Sequence, residues 1–151
     1  MTETNAFLDT SVLFAAVLSE SGGARLIFNL GEAGSIRLWV GPRVLQEADA
    51  VLERKLPERK ALFALLLDRA RIAVGSLPDE AQLARAREIV SYAPDAHVLA
   101  EALACGVSYF ISLDREYLVG NSRATSLPFP IGTPGDFLAW LRDHLVSQSL
   151  L

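Results

Sequence analysis

Short apolar segments alternate along the chain with longer segments in which apolar residues recur every three or four positions. The short segments predict β-strands, and the periodic segments predict amphipathic helices. The predicted strands are Ala6–Leu8, Arg37–Val40, Arg71–Val74, Val107–Leu113 and a weaker one at Pro130–Ile131. The predicted helices are Val12–Leu18, Ala24–Leu30, Pro42–Arg54, Glu58–Arg69, Glu80–Ser91, Ala96–Cys105 and Gly135–Val146. This alternation predicts a layered α/β fold, because parallel strands need crossover helices.

Composition agrees with one globular domain, which we expect to span residues 1–151. Hydrophobic residues make up 51% of the chain and charged residues 21%, so there is enough apolar surface for a core. No apolar run approaches the ~20 residues that span a bilayer, and residues 1–5 lack the pattern of a secretory signal. Cys105 is the single cysteine and cannot form an internal disulfide. These features predict a cytoplasmic protein without a membrane segment.

Charge and motifs exclude several function classes. The net charge of −4 argues against a protein that coats nucleic acid with a broad basic face, although a local basic patch beside an acidic site is compatible with it. Gly22-Gly23 lacks the lysine that follows the glycines of a phosphate-binding loop, and no Gly-x-Ser-x-Gly elbow is present. Neither a P-loop nucleoside triphosphatase nor a serine hydrolase is indicated.

Two aspartates directly follow predicted strands. Asp9 follows Ala6–Leu8 and Asp114 follows Val107–Leu113, at the strand ends where parallel sheets place their functional loops. Each could instead cap a helix. For Asp9 we favour a functional role, because the hydroxyls of Thr10 and Ser11 are available for capping. For Asp114 both interpretations stay open, and period-two alternation places Ser112 on the same side as Asp114.

Asp95 is unusual because it lies in line with the apolar stripe of its predicted helix. That stripe comprises Val98, Leu99, Ala102 and Leu103, whereas His97 and Glu101 fall on the opposite side. A carboxylate on a core-facing side needs a partner, since burying an unpaired charge is costly. We therefore favour a functional role for Asp95, with an exposed first-turn cap as the alternative.

Two further acidic residues, Glu47 and Asp49, flank the apolar stripe of the helix Pro42–Arg54 at similar angles. Helical geometry does not choose between them. A solvent-exposed flank is a sufficient explanation for either.

Clustered carboxylates indicate a divalent cation, because like charges repel one another unless a cation neutralises them. Mg²⁺ and Mn²⁺ prefer oxygen ligands, and such ions activate water and stabilise charge on a phosphodiester. The chain has only two histidines, His97 and His144, which suits chemistry based on carboxylates alone.

The ordered segments resemble the PIN domain (PilT N-terminus) family, especially its VapC-like toxin branch. Phe7–Leu13 resembles the opening strand with the first aspartate, and Arg43–Ala48 resembles the helix with the family's glutamate, which selects Glu47 over Asp49. Asp95–Leu103 and Cys105–Asp114 resemble the helix and strand that carry the remaining aspartates. Ile131–Leu138 is similar to the closing segment, in which Thr133 and Asp136 form a helix cap.

This resemblance implies a three-layer fold with a central parallel sheet of about four to five strands flanked by helices. It also implies an endoribonuclease that depends on Mg²⁺ or Mn²⁺, often a homodimer that a cognate antitoxin restrains. The implied catalytic and metal-binding residues are Asp9, Glu47, Asp95 and Asp114. Secondary candidates are Ser11, Ser112, Glu116 and Arg115, and Arg123 is a further candidate for contact with RNA phosphates.

The sequence departs from the family pattern in two places, and two other functions compete with ribonuclease activity. Ser112 stands where the family often has threonine, and the segment Val119–Pro130 is longer than in compact toxins. A catalytically silent PIN-like module that binds RNA or a protein partner is the main alternative. A phosphatase with Asp9 as nucleophile is disfavoured, because Ser11 occupies the position where that chemistry needs a second aspartate.

Overall fold

The computed structural model describes residues 3–149. Within them, a single parallel sheet of five strands has the order β3-β2-β1-β4-β5. The strands are β1 (Asn5–Leu8), β2 (Arg37–Val40), β3 (Ala73–Val74), β4 (Tyr109–Ile111) and β5 (Ile131–Gly132). The predicted parallel sheet of about four to five strands is confirmed.

Helices cover both faces of the sheet, which confirms the predicted three-layer α/β fold. They are α1 (Thr10–Leu18), α2 (Gly23–Glu32), α3 (Pro42–Lys55), α4 (Lys60–Arg69), α5 (Glu80–Ile89), α6 (Ala93–Cys105) and α7 (Pro134–Ser149). Helix α1 packs against α2, α3 and α4, whereas α5 packs chiefly against α6. Within the described residues no single helix is long and apolar enough to cross a membrane, and only α1 and α2 together, bent by 94°, would reach that length.

The central strands bring two distant segments side by side. β1 pairs with β4 so that Leu8 lies opposite Ile111, and the amide of Asp9 donates to the carbonyl of Ile111 at 3.0 Å. Both strands are buried, as is usual when helices cover the two faces of a parallel sheet. The residues that follow Leu8 and Ile111 therefore emerge together at the carboxyl edge of the sheet.

Two of the predicted strands were too long. β4 ends at Ile111 rather than at Leu113, since the chain then turns, although the Ser112 amide still donates to Gly132. β3 begins at Ala73 because Arg71 adopts a left-handed backbone conformation with φ 54° and cannot extend the strand.

The helix boundaries were predicted more closely. The predicted helix from Glu58 is divided into a 3-10 turn, Pro57–Arg59, and α4. The predicted cap of α7 is confirmed: the Asp136 amide donates to the Thr133 hydroxyl at 3.1 Å, and the Thr133 amide donates to the Asp136 carboxylate at 3.0 Å.

Candidate metal centre

Four carboxylates from four separate elements line one cavity of about 270 Å³ at the carboxyl edge of the sheet. Asp9 follows β1, Glu47 lies in α3, Asp95 lies in the first turn of α6, and Asp114 follows β4. The other lining residues are Thr10, Ser11, Phe14, Pro94 and Val98. The fold therefore brings together all four acidic residues that the sequence singled out.

Asp9 is held by three hydrogen bonds and is only 6% exposed. Its Oδ1 accepts from the Thr10 amide at 2.8 Å, and its Oδ2 accepts from the hydroxyls of Ser11 at 2.9 Å and Ser112 at 2.7 Å. Asp9 is thus the N-cap of α1, so the expectation that Thr10 and Ser11 would cap this helix in its place was wrong. Burial raises the pKa of Asp9, and these hydrogen bonds oppose the shift.

The two serines connect Asp9 to the segment that follows β4. The Ser112 hydroxyl, fully buried, accepts from the Asp114 amide at 2.9 Å while it donates to Asp9. The Ser11 hydroxyl accepts from the Leu113 amide at 3.1 Å in the same way. Both secondary serine candidates therefore fix the position of Asp9 relative to Asp114.

Asp114 is oriented by the turn that follows it. Its Oδ1 accepts from the amides of Glu116 at 2.9 Å and Tyr117 at 3.1 Å, an arrangement typical of an aspartate that begins a turn. Of the two interpretations left open for Asp114, the cap-like one is therefore present. It does not compete with a role in the cavity, because the carboxylate also has Oδ2.

Asp95 lies among the negative charges of the other three carboxylates. It lies close enough to Asp114 for the two carboxyl groups to share a hydrogen bond when one is protonated. When both are ionised, Asp95 Oδ2 is buried without a hydrogen-bond partner among residues 3–149. Burial, followed by the negative charges of Asp114, Asp9 and Glu47, raises the pKa of Asp95 to about 7.

Glu47 differs from the other three because its side chain is exposed. It lines the carboxylate cavity, whereas Asp49 lies 3.5 Å from Lys60 and lines a different cavity between α3 and α4. The packing of α3 thus distinguishes two residues that helical periodicity could not.

Glu116, Arg115 and Arg123 do not line the carboxylate cavity. They line a neighbouring polar cavity of about 380 Å³ together with Tyr117 and Asn121. Glu116 contacts the Asp114 carboxylate through its backbone amide and not through its side chain. Among the secondary candidates, Ser11 and Ser112 therefore contact the carboxylate group directly, and Arg115 and Glu116 border it.

Glu101 is a buried acidic residue that sequence reasoning missed. Its carboxylate accepts from the amides of Arg43 at 2.8 Å and Val44 at 3.2 Å, in the first turn of α3. The N-cap of α3 is Gly41, which has no side chain to satisfy these amides. The side of α6 opposite its apolar stripe, on which we expected Glu101, is thus buried against α3. Glu101 connects the helix that carries Asp95 to the helix that carries Glu47.

The available signal for Glu101 was a combination of two features. Helix α3 begins with Gly41-Pro42 and has no capping side chain at its N-cap, while α6 carries a glutamate within an otherwise apolar segment. An uncapped helix start needs an acceptor from elsewhere in the fold. Burial raises the pKa of Glu101, and the bonds from Arg43 and Val44 stabilise its ionised form.

The cavity fits a hydrated hard cation better than a closed metal cage. All of its acidic side chains offer oxygen, the ligand that Mg²⁺ and Mn²⁺ prefer, and Asp95 Oδ2 is a buried acceptor with no donor among residues 3–149. No group of three or more His, Cys, Asp or Glu side chains in the described part of the chain is arranged to hold an ion directly. Mg²⁺ usually binds through one or two carboxylates and keeps several waters, so the residues fit such an ion.

The raised pKa of Asp95 predicts how the stability of the metal-free protein depends on pH. The folded protein retains a proton on Asp95 up to about pH 7, whereas the unfolded chain releases it near pH ~3.9. This contribution to stability is therefore complete below the unfolded pKa and is lost as the pH rises through about 7. Thermal unfolding in EDTA should show Asp95→Asn gaining stability relative to wild type between pH 4 and pH 8.

An exposed aspartate provides the control for this measurement. Asp143, which is solvent-exposed on α7, should give no such pH-dependent difference when replaced by asparagine. A difference between Asp95→Asn and wild type that stays constant with pH would contradict the crowding of carboxylates around Asp95.

Comparison with known proteins places this arrangement in a family. The sequence model of the PIN domain matches residues 5–116, a segment that contains all four cavity carboxylates and extends from β1 to beyond β4. No curated protein matches the chain. PIN domains are in general nucleases, and the acidic cavity at the carboxyl edge of the sheet is compatible with that activity. Because the match covers residues 5–116 of 151, the chain belongs to the PIN domain family.

Proposed function

We propose that the protein is an endoribonuclease that depends on Mg²⁺ or Mn²⁺, with Asp9, Glu47, Asp95 and Asp114 holding the ion directly or through water. The observation that supports this most strongly is the buried Asp95 Oδ2, which lacks a partner among the described residues and lies in a cavity with three other carboxylates. A cation in this cavity would relieve the repulsion that raises the pKa of Asp95.

The four residues have different parts in this proposal. Asp9 and Asp114 are fixed by serine hydroxyls and backbone amides, so they define the position of the ion. Asp95 holds a proton up to about pH 7 only in the metal-free protein, and the ion would displace that proton; Glu47, at the exposed edge of the cavity, orients water. A bound ion supplies activation of a water and neutralisation of the charge that develops on the phosphate.

Exposed arginines on two sides of the acidic cavity support a polyanionic substrate. Arg43 lines an adjacent cavity that shares Glu47 and Pro94 with the carboxylate cavity. Arg115 and Arg123 line the polar cavity on the side of Asp114. Cationic side chains of this kind attract nucleic-acid phosphates independently of sequence, although the chain as a whole carries a net charge of −4.

Metal removal and one substitution test the proposal together. Wild-type protein should cleave unstructured RNA when Mg²⁺ or Mn²⁺ is present and should lose cleavage in EDTA. Calorimetric titration with Mn²⁺ should show binding to wild type that is weakened by about 10-fold or more in Asp114→Asn, since a carboxylate ligand is lost. Asp79→Asn, at the exposed cap of α5, is the matched control.

A result without metal binding would favour the alternative function. A catalytically silent module that binds RNA or a protein should retain RNA binding, show no cleavage and show no difference between wild type and Asp114→Asn in the Mn²⁺ titration.

We propose further that the protein is the cytoplasmic toxin of a toxin–antitoxin pair and acts as a homodimer. This rests on the resemblance of the carboxylate segments to the VapC-like branch. Expression of the chain should arrest bacterial growth, and co-expression of a small adjacent reading frame should restore it. Growth that continues unchanged while RNA cleavage is demonstrated in vitro would assign the protein to another branch of the family.

A further inference from the structure

A pair of tyrosines lies beside the carboxylate cavity. The rings of Tyr92 and Tyr117 are stacked, with centroids 5.0 Å apart and an angle of 17° between their planes. Tyr92 is 49% exposed, although aromatic side chains with this much apolar surface are more often buried. It is the N-cap residue of α6, yet its side chain makes no capping hydrogen bond. Capping does not explain its position.

The same two segments that carry Asp95 and Asp114 also carry these tyrosines. Tyr92 precedes Asp95 by less than one helical turn, and Tyr117 follows Asp114 within the same turn. The Tyr117 amide donates directly to Asp114 Oδ1 at 3.1 Å. The tyrosine stack and the close approach of Asp95 to Asp114 therefore bridge the same junction between α6 and the segment after β4.

The surroundings of Tyr117 combine an ordered ring with positive charge. Its ring is stacked on that of Tyr92, and the neighbouring Glu116 carboxylate raises the pKa of Tyr117. Tyr117 lines the polar cavity of about 380 Å³ that Arg115 and Arg123 also line. Both arginines are exposed, and within residues 3–149 neither forms an ion pair with a carboxylate. Arg123 Nη1 donates to the Glu88 carbonyl at 3.3 Å, and the charge of Arg115 contributes to lowering the pKa of Asp136. Each guanidinium keeps further N–H donors for an external anion.

We propose that Tyr92, supported by Tyr117, stacks a base of single-stranded RNA, while Arg115 and Arg123 contact the phosphates of the same strand. This inference rests on the proposed ribonuclease function and names residues of this chain that would hold its substrate. An exposed aromatic ring stacks on any base, and cationic residues follow the backbone of a single strand. A duplex cannot use such a platform, since its bases are already stacked within the helix. The strand bound here passes directly beside the four carboxylates.

RNA binding tests the platform separately from catalysis. The probe is a short fluorescein-labelled single-stranded RNA of mixed sequence, measured by fluorescence anisotropy with Ca²⁺ in place of Mg²⁺, and its integrity is checked on a gel. Tyr92→Ala should weaken binding by about 5-fold to 150-fold, the range for loss of one stacked base. Tyr92→Phe should retain the affinity of wild type, because phenylalanine keeps the ring. Leu77→Ala, which replaces a side chain that is 73% exposed, should also leave binding unchanged.

A modified RNA identifies the stacked base. A set of probes that each carry one abasic site should contain a position at which wild type loses affinity, and Tyr92→Ala should not distinguish that position from its neighbours. Equal binding of the single strand by Tyr92→Ala and wild type would overturn the proposal. The proposal would also be overturned if Tyr92→Ala lost the same affinity for single-stranded and duplex RNA, or if wild type did not bind single-stranded RNA. If wild type showed this binding pattern but did not cleave RNA in the presence of Mg²⁺ or Mn²⁺, the result would count against the proposed nuclease function alone.

Discussion

Asp9→Asn should lower the rate of metal-dependent RNA cleavage by about 1,000-fold, because a metal ion contributes several kcal/mol to stabilising such a transition state. Asp9 is the most firmly held of the four carboxylates, with Oδ1 bonded to the Thr10 amide and Oδ2 to two serine hydroxyls. Asparagine has the same shape and is a good N-cap residue, so α1 should remain capped. The substitution therefore removes charge from the cavity with little change in the fold.

The measurement needs both an activity assay and a stability assay. Cleavage is followed on a labelled RNA at saturating Mn²⁺, and folding is followed by thermal unfolding of the same preparation. The matched control is Asp68→Asn, an exposed aspartate on α4, which should cleave at the wild-type rate. Undiminished cleavage by Asp9→Asn would show that the carboxylate cavity is not the catalytic site.

Glu101→Ala should lower the free energy of unfolding by about 3–5 kcal/mol, since it leaves one buried and one partly buried backbone donor unsatisfied and creates a cavity. Glu101 is fully buried, and its carboxylate is the acceptor for the first-turn amides of α3. The loss arises at a helix N-terminus, where a negative charge also interacts favourably with the helix dipole. Urea-induced unfolding of the metal-free protein measures this change.

A second substitution at the same position separates hydrogen bonding from packing. Glu101→Gln keeps the volume and one acceptor oxygen, so its destabilisation should be smaller, about 1–2 kcal/mol. Glu32→Ala, at the exposed end of α2, serves as the control and should change stability by less than about 0.5 kcal/mol. If Glu101→Ala unfolded at the same urea concentration as wild type, the connection between α6 and α3 would contribute nothing.

Most of the fold could be predicted because local patterns and tertiary structure agree. β1 and β4 are continuous apolar segments in a sheet covered on both faces, and α7 begins at a capping motif that is visible in the sequence. The lengths of two strands were predicted wrongly, because the local backbone conformation ends them earlier than the apolar pattern indicates. The left-handed conformation of Arg71 shortens β3, and the turn after Ile111 shortens β4.

The site was only partly predictable, because periodicity treats each helix as having one buried side. Helix α6 is buried on more than one side, so Glu101 is enclosed although it lies opposite the apolar stripe. The choice between Glu47 and Asp49 depends on how α3 packs, which its own sequence does not encode. Asp9 was predicted for the cavity, but its simultaneous role as N-cap was not, because we treated the two roles as alternatives.

The contact between α6 and α3 also constrains which residues can occupy position 41. A Cβ added at Gly41 would overlap the Cβ, Cδ and Oε1 atoms of Glu101, so even alanine is excluded while glutamate occupies position 101. A larger residue at position 41 requires a shorter one at position 101, which could no longer cap the first turn of α3. The residue at position 41 would then have to cap α3 with its own side chain. In any divergent copy of this chain, these two positions are therefore free to change only as a pair.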